Sequence, residues 1–323
     1  MYNLNQIKTV HLEVTSRCQA TCPMCARNIQ GLDNPWLELD EITLDQFKQW
    51  FPVDFIKQLD RLYMCGNLGH PIVAKDTLKI FQYLRETNPT ISLSMNTNGS
   101  AKSWHFWKGL AGLKVHVRFG IDGLIDTHSL YRIGTDWVKI IDNARLFINA
   151  GGEATWDMLV FEHNEHQVEI CRELSEQLGF KNFVSKNTSR FREDKLQVLN
   201  KDGTTSHVLF PSIKSKKISK LLGTDEPAEI SCKVLNEKSI YINAKGQVIP
   251  CCWLDYNAML PIHPSRVDML DKGIKFETLK EKTLDEIFGE KTFTTIRDSW
   301  GTSPVRECSR QCGKIDKFNE QFN

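Results

Sequence analysis

Residues 9–27 read TVHLEVTSRCQATCPMCAR and set three cysteines directly after a strand-like stretch. The first six of these residues alternate between polar and apolar side chains, as a half-buried β-strand does. Cys18, Cys22 and Cys25 follow, with three and then two residues between them. This spacing can supply three thiolates to one four-iron cluster and leave its fourth iron open, whereas a cluster that only carries electrons normally takes four. A metal site that binds substrate keeps such a position open, so the motif predicts a catalytic site.

A structural zinc site and a disulfide are the alternatives for these cysteines. Zinc sites usually combine two closely spaced cysteine pairs, and the next cysteine along the chain, Cys65, lies about forty residues beyond Cys25. Disulfides are disfavoured, because ten cysteines in 323 residues without a secretory signal indicate a reducing compartment, where clustered thiols bind metal. We therefore expect a cytoplasmic protein.

The composition excludes several classes of protein. A hydrophobic content of 41% and a length of 323 residues allow a large core, with one larger domain and one smaller one. No apolar run approaches the roughly 20 residues that span a bilayer, and residues 1–5 lack the basic and apolar regions of a signal peptide. The formal charge of +1 argues against general nucleic-acid binding, which needs a strongly basic surface. We expect no membrane partner and no general nucleic-acid partner.

Strand-like stretches alternate with amphipathic helical patterns along the first two thirds of the chain. This alternation predicts parallel strands joined by right-handed crossovers. In such sheets the chemistry gathers at the C-terminal ends of the strands, where the three cysteines fall. The strand-like stretches are residues 9–14, 61–65, 91–95, 115–121, 155–160 and a weaker one at 183–184.

A second group of cysteines lies near the C-terminus. Cys232 is followed by Gly246 and, five positions later, by Cys251, and the residues between read as a strand, a turn and a returning strand. A hairpin there would bring the two cysteines together. Cys308 and Cys312 can then complete a four-thiolate iron–sulfur site. Four-cysteine sites with hairpins are also common zinc holders, so zinc is the alternative here as well.

The three-cysteine motif after a first strand resembles the signature of the radical S-adenosylmethionine (SAM) superfamily. The resemblance implies an α/β fold, a partial six-stranded (β/α)6 TIM-like barrel, with Cys18, Cys22 and Cys25 as the catalytic ligands of a 4Fe-4S cluster. In this family SAM chelates the open iron and is cleaved to methionine and a 5′-deoxyadenosyl radical, which abstracts hydrogen from a substrate. Met24 stands where the family usually has an aromatic residue near the adenine, and its thioether can cover the same apolar surface.

Three further segments resemble the SAM contacts of this family. Residues 65–71, CGNLGHP, resemble the glycine-rich turn that receives the amino group of SAM, with His70 in the acidic place. An ordinary strand-to-helix turn is the alternative. Residues 96–99, NTNG, resemble the segment near the ribose, and residues 120–123, GIDG, resemble a segment in which Gly120 replaces a serine.

Arg132 follows the last of these segments. Its planar fork suits the methionyl carboxylate of SAM, although it could equally be a surface arginine. The candidate cofactor-binding residues are therefore Met24, Gly66, Asn67, Gly69, His70, Asn96, Asn98, Asp122 and Arg132.

The C-terminal cysteines resemble the auxiliary-cluster region of SPASM and twitch-domain radical SAM enzymes. A full SPASM domain usually supplies seven cysteines, whereas this region has five, so we expect one auxiliary cluster in a small hairpin-plus-helix domain. Its expected ligands are Cys232, Cys251, Cys308 and Cys312, with Cys252 left over because neighbouring residues rarely both reach one compact cluster. The resemblance thus implies two 4Fe-4S clusters and SAM as cofactors. The expected parts are a barrel at 1–212, a linker at 213–230 and the auxiliary domain at 231–323.

Three functional classes follow. The favoured one is a radical SAM oxidoreductase or maturase that abstracts hydrogen from a peptide or protein side chain. The second acts on a small metabolite or nucleotide, and the third is a non-enzymatic iron–sulfur or zinc sensor. Either enzyme needs a reductant such as flavodoxin or ferredoxin. The basic stretch at 214–220 is a solvated linker face or a guide for such a donor or for an anionic substrate.

Overall fold

The computed structural model of the protein describes residues 3–188, 190–191, 193–215, 229–257 and 259–313. Most of the expected linker at 213–230, including most of its basic stretch, lies outside the described residues. Residues 314–323 of the expected auxiliary domain lie outside them as well.

The strands fall into one large sheet and two small hairpins. Their bounds are β1 (Thr9–Leu12), β2 (Asn28–Ile29), β3 (Leu32–Asp33), β4 (Arg61–Met64), β5 (Ser92–Thr97), β6 (His116–Gly120), β7 (Ala154–Val160), β8 (Asn182–Asn187), β9 (Leu196–Leu199), β10 (Thr205–Leu209), β11 (Ser239–Ile242) and β12 (Val248–Ile249).

Across the large sheet the strands stand in the order β12, β11, β1, β4, β5, β6, β7 and β8. Every neighbouring pair from β11 to β8 is parallel, and only β12 runs antiparallel, against β11. Among the described strands β12 and β8 are the two edges, so the sheet is open. The expected α/β fold is confirmed: β1 and β4 to β8 are the six parallel strands of the partial barrel, and β11 adds a seventh parallel strand beside β1.

Helices connect the parallel strands, as crossover connections require. None of the described helices is long and apolar enough to cross a membrane. The helices are α1 (Leu44–Trp50), α2 (Val53–Gln58), α3 (Thr77–Thr87), α4 (Trp104–Gly112), α5 (His128–Tyr131), α6 (Trp137–Asn149), α7 (Val168–Gln177), α8 (Lys233–Glu237), α9 (Pro264–Asp271), α10 (Leu284–Gly289), α11 (Thr292–Asp298) and α12 (Arg306–Cys312).

Strand β1 is buried at all four positions because both faces of the sheet are covered at this point. Val10 and Leu12 belong to the main apolar core. His11 points to the other face, where its ring stacks on Tyr63 with 4.5 Å between centroids and contacts Tyr241 at 4.7 Å. The interior of the partial barrel is thus filled by aromatic rings beside the first strand.

The C-terminal hairpin extends the barrel sheet. Its first strand, β11, pairs with β1 from Thr9 opposite Ser239 to Leu12 opposite Ile242. The turn contains Gly246 at φ +84°, and a Cβ there would lie 2.8 Å from the Trp50 ring, so only glycine fits. The hairpin expected from the sequence is present, and it joins the sheet edge directly.

A second hairpin, β9–β10, was not expected from the sequence, whose strand-like stretches in this part of the chain end at 183–184. Its strands are half-exposed, so their apolar alternation is weak. Val198 and Leu209 are buried in an apolar cluster with Ala20 and Cys22 from the cysteine loop. The hairpin therefore packs over the loop that carries the three-cysteine motif.

Val198→Asp should lower the free energy of unfolding by about 2–4 kcal/mol, because it places an unpaired carboxylate in that cluster. Gln197→Asp, on the exposed side of the same strand, is the matched control and should change stability little. Urea unfolding of both variants measures the difference. Equal unfolding midpoints would contradict the packing of this hairpin on the cysteine loop.

Candidate functional site

The loop after β1 brings the three cysteines of the motif together. Its turns are closed by the Cys25 N–H, which donates to the Cys22 carbonyl at 3.0 Å, and by Asn28, whose side chain donates to the same carbonyl at 3.2 Å. Burial raises the pKa of the Cys22 thiol to about 12, and the charges of Cys25 and Cys18 add to that rise. Three thiols close enough to affect one another therefore lie at the carboxyl end of β1.

Within the described ranges, no group of three His, Cys, Asp or Glu side chains is arranged to hold a single metal ion. A four-iron cluster binds each cysteine through a different iron, so its thiolates stand farther apart than the ligands of one ion. The fit of the first site to such a cluster depends instead on the charges around it.

Arg27 provides the charge that such a cluster requires. Its Nη1 donates to the carbonyls of Ser16 at 2.7 Å and Leu68 at 3.1 Å, whereas its Nε is buried without a hydrogen-bond partner in the described part of the chain. The guanidinium also favours the thiolate of Cys18. A buried cation is costly unless an anion compensates it. Three thiolates on a cluster would supply that negative charge, so the residues present fit the group.

The glycine-rich turn after β4 lies directly against the cysteine loop. A Cβ on Gly69 would stand 1.8 Å from the Thr15 carbonyl oxygen, and one on Gly66 would stand 1.5 Å from the carbonyl oxygen of Gly69. Backbone therefore packs on backbone at both positions, which only glycine allows. Asn67 of the same turn donates through its side chain to the Cys252 carbonyl at 3.2 Å.

Glu13 holds this turn, and the sequence interpretation did not identify it. One carboxylate oxygen accepts the backbone N–H groups of Leu68 and Gly69, the latter at 2.7 Å, and the other accepts the hydroxyl of Tyr241. Glu13 is only 1% exposed, and burial raises its pKa to about 7. The sequence feature that could have indicated this role is the position of a carboxylate directly after a buried strand.

His70 links the glycine-rich turn to the end of β5. Its Nε2 accepts the backbone N–H of Asn98 at 2.7 Å, and burial lowers its pKa to about 3, so the ring is neutral at physiological pH. The Asn98 side chain in turn accepts from Gln19 of the cysteine loop at 3.0 Å. Asn96 donates to the Cys65 sulfur at 3.2 Å. The predicted amino-group and ribose segments are therefore neighbours.

The fully buried Asp122 and the partly exposed Arg132 form an ion pair beside Cys22. Arg132 Nε donates to the Asp122 carboxylate at 2.5 Å, and the other Asp122 oxygen accepts the Leu159 N–H at 2.7 Å. A Cβ on Gly120 would stand 2.8 Å from Arg132 Nη2, so the guanidinium fills the space of the missing serine. The Arg132 side chain is 21% exposed, and Asp122 holds it beside Cys22.

The four C-terminal cysteines also come together. Helix α12 places Cys308 and Cys312 one turn apart on one face, and the Ser231 N–H donates to the Cys312 carbonyl at 2.8 Å. The Cys312 thiol donates to the Cys232 sulfur, which lowers the pKa of Cys232 to about 6. Burial raises the pKa of Cys251, and the charges of Cys252, Cys308 and Cys232 raise it further.

Trp300 and Cys252 lie next to these four cysteines and differ in their relation to them. Burial raises the pKa of the Cys308 thiol to about 12, and the buried Trp300 indole N–H beside it favours the thiolate, which suits a metal-bound sulfur. Cys252 lies on the barrel side instead, where burial raises its pKa to about 12 with contributions from Cys65 and Glu13. The structure thus brings four cysteines together, and Cys252 adjoins this group on the side of Cys65 and Glu13.

Gly69→Ala should destabilise the protein by about 3 kcal/mol or more, because the added methyl group meets fixed backbone atoms. Gly112→Ala is the matched control, since a Cβ at that glycine meets nothing within 4 Å. Thermal unfolding of both variants gives the comparison. A Gly69→Ala variant as stable as the control would refute the close packing of turn and loop.

His70→Leu should cost about 1–3 kcal/mol, because the Asn98 N–H loses its acceptor, and His70→Gln should cost less because it keeps an acceptor oxygen. The folded-state pKa of His70 is lowered from 6.5 to about 3. Its contribution to stability is therefore present above about pH 6.5 and is lost as the pH falls toward 3. Urea titrations at pH 7 and pH 5 should show a larger loss for the wild type than for His70→Gln. Equal losses would contradict the neutral, buried ring.

Comparisons with known proteins agree with this arrangement. Residues 232–313 match SPASM, an iron–sulfur cluster-binding domain. No curated protein matches the sequence of the chain.

Several solved structures are similar in fold. Hexahistidine-tagged anSMEcpe with bound AdoMet is 17% identical with a TM-score of 0.59, over 91% of this chain and 81% of that one. SuiB of Streptococcus suis bound to S-adenosylmethionine is 12% identical with a TM-score of 0.58, and the match covers 94% of this chain and 68% of SuiB. Native anSMEcpe with bound AdoMet and the Cp18Cys peptide is 17% identical with a TM-score of 0.57, and the match covers 94% of this chain and 88% of that one. The chain therefore has the fold of these AdoMet-bound structures, and its residues 232–313 match the SPASM iron–sulfur cluster-binding domain.

Proposed function

We propose that this protein is a radical SAM enzyme that abstracts hydrogen from a peptide or protein side chain. The observation that carries the proposal is the first cysteine loop. Cys18, Cys22 and Cys25 lie together beside Arg27, a buried cation whose Nε has no partner in the described part of the chain. Three cysteines leave one iron of a four-iron cluster open, and an open iron is what a substrate-binding cluster needs.

The residues around the loop take separate parts in this proposal. The glycine-rich turn with Gly66 and Gly69 brings bare backbone to the carboxyl edge of the sheet, where the amino group of SAM would be received. His70 contributes a neutral ring that fixes this turn against Asn98, and it repels no cation because burial keeps it uncharged. Arg132 favours the thiolate of Cys22, and its ion pair with Asp122 offsets part of this effect.

With a reduced cluster on these cysteines, SAM would yield methionine and a 5′-deoxyadenosyl radical that takes a hydrogen atom from the substrate. The chain's own residues bind and orient the two cofactors and cover the cysteine loop with the β9–β10 hairpin. The second cluster, on Cys232, Cys251, Cys308 and Cys312, would accept an electron or hold the auxiliary domain in place. A flavodoxin or ferredoxin would supply the electron, which suits a cytoplasmic location.

The proposal of a peptide substrate is supported by the similar structures. Native anSMEcpe holds the Cp18Cys peptide together with AdoMet, and SuiB has been solved bound to the precursor peptide SuiA. Both share the fold of this chain at low sequence identity. A small metabolite or nucleotide is the alternative substrate class, and the second experiment below distinguishes it from a peptide or protein substrate.

Anaerobic reconstitution should give about eight irons per chain, as two four-iron clusters require. Replacing Cys18, Cys22 and Cys25 together with alanine should remove about half of the iron and abolish formation of 5′-deoxyadenosine from SAM by the dithionite-reduced protein. Cys171→Ala, at a buried position in α7, is the matched control. It should retain the full iron content and the formation of 5′-deoxyadenosine. Stoichiometric zinc without sulfide, or no deoxyadenosine from the fully reconstituted wild type, would overturn the proposal.

The substrate class can be tested without knowing the substrate. A perdeuterated cell extract is separated into a fraction of proteins and peptides and a fraction of small molecules, and each is added to the reduced enzyme with SAM. Deuterium should enter 5′-deoxyadenosine only with the protein and peptide fraction. Transfer from the small-molecule fraction alone would select the alternative class.

A further inference from the structure

Glu13 is a bridge between two parts of the chain that lie far apart in the sequence. Its Oε1 accepts the backbone N–H groups of Leu68 and Gly69, and its Oε2 accepts the hydroxyl of Tyr241. The first two donors belong to the glycine-rich turn of the barrel. The third belongs to β11, which lies within residues 232–313 of the auxiliary domain. One buried carboxylate therefore holds barrel and auxiliary domain at once.

Packing fixes the position of the Tyr241 hydroxyl. Tyr241 lies opposite His11 in the parallel pairing of β11 with β1, and the two rings contact each other at 4.7 Å. His11 is held in turn by the Tyr63 ring and by the Cys65 carbonyl at 2.7 Å from its Nε2. Since Tyr241 is 1% exposed, its hydroxyl has little freedom to leave Glu13.

The auxiliary domain holds Tyr241 from the other side. Asp255 lies 3.2 Å from the Tyr241 hydroxyl and also accepts the Asn243 side chain at 3.2 Å. The Asp255 N–H donates to the Cys252 carbonyl at 3.3 Å, in the turn that follows Cys251. A continuous series of contacts thus runs from the second cysteine site through Tyr241 and Glu13 to the glycine-rich turn.

The turn depends on Glu13 for its backbone geometry. The N–H groups of Leu68 and Gly69 would lack these partners without the carboxylate, and a buried N–H without an acceptor is costly. Neither glycine of the turn has a side chain that could hold it in place.

We propose that Tyr241 is a positioning residue for SAM: it holds Glu13, and Glu13 fixes the backbone at Leu68 and Gly69 in the form that receives the amino group of SAM. The inference rests on the proposed function, because it assigns that turn to SAM. It makes the affinity for SAM depend on the docking of the auxiliary domain. By linkage, SAM must strengthen that docking by the same factor.

The test measures the dissociation constant of SAM on reconstituted protein by calorimetry. Tyr241→Phe removes only the hydroxyl and should weaken binding about fivefold or more, as the loss of a hydrogen bond to a buried carboxyl implies. Glu13→Ala should weaken it further. Glu13→Gln should stay within about threefold of the wild type, because its amide can still accept from the turn and donate to the Tyr241 oxygen. Tyr256→Phe removes a hydroxyl from the same domain and keeps the ring. It is the matched control and should leave the dissociation constant of SAM unchanged.

The double variant Glu13→Ala with Tyr241→Phe decides whether Tyr241 acts through Glu13. It should bind SAM no more weakly than Glu13→Ala alone, because the two changes break one series of contacts. Fully additive losses would overturn the proposal. So would a Tyr241→Phe variant with the affinity of the wild type.

Hydrogen exchange without SAM gives a second readout. The backbone amides of Leu68 and Gly69 should exchange faster in Tyr241→Phe than in Tyr256→Phe, and equal protection would also overturn the proposal. A wild type that binds no SAM would refute the proposed function itself. In that case faster exchange in Tyr241→Phe would still show the contact between the domains, so the two failures are distinguishable.

Discussion

The structure depends on the position of β1 between β4 and β11. One strand thereby supplies the cysteine loop at its carboxyl end, a core face through Val10 and Leu12, and the pairing edge for the auxiliary domain. Its last apolar residues are followed at once by Glu13, whose carboxylate contacts both neighbours. A change in the register of this strand would reverse the faces of its side chains, so the site and the domain contact are fixed by the same ladder of hydrogen bonds.

The two guanidinium groups near the cysteines have different charge partners. Arg132 is neutralised by Asp122, which is itself fully buried. Arg27 contacts only carbonyl oxygens through Nη1, and no ion pair with it is present among the described residues. Arg27 therefore leaves positive charge beside the cysteine loop, and Arg190, whose Nη1 donates to the Met24 carbonyl at 3.1 Å, adds to it. Such a distribution suits a group whose charge becomes more negative on reduction, because the cation stabilises the added electron.

Spacing and periodicity were enough to predict the parallel sheet, the cysteine loop at its carboxyl edge and the C-terminal hairpin. They could not reveal Glu13, because its role depends on contacts with residues 68, 69 and 241, which only the fold brings near. The same holds for Gly120, whose missing hydroxyl is explained by Arg132 lying against it. The β9–β10 hairpin escaped prediction because its strands bury few side chains, so the period-two pattern is faint.

The pairing of Thr9 with Ser239 has a consequence for how the protein reaches this state. During synthesis β1 emerges long before β11 exists, so this edge of β1 stays unpaired until residues 239–242 have been made. Contacts between such distant segments close slowly, and unpaired strand edges favour aggregation while they wait. The cysteine loop at the end of this strand would gain its final surroundings only in the last steps of folding. Overproduction in the cell should therefore be limited more by the rate of late sheet closure than by the stability of the finished protein.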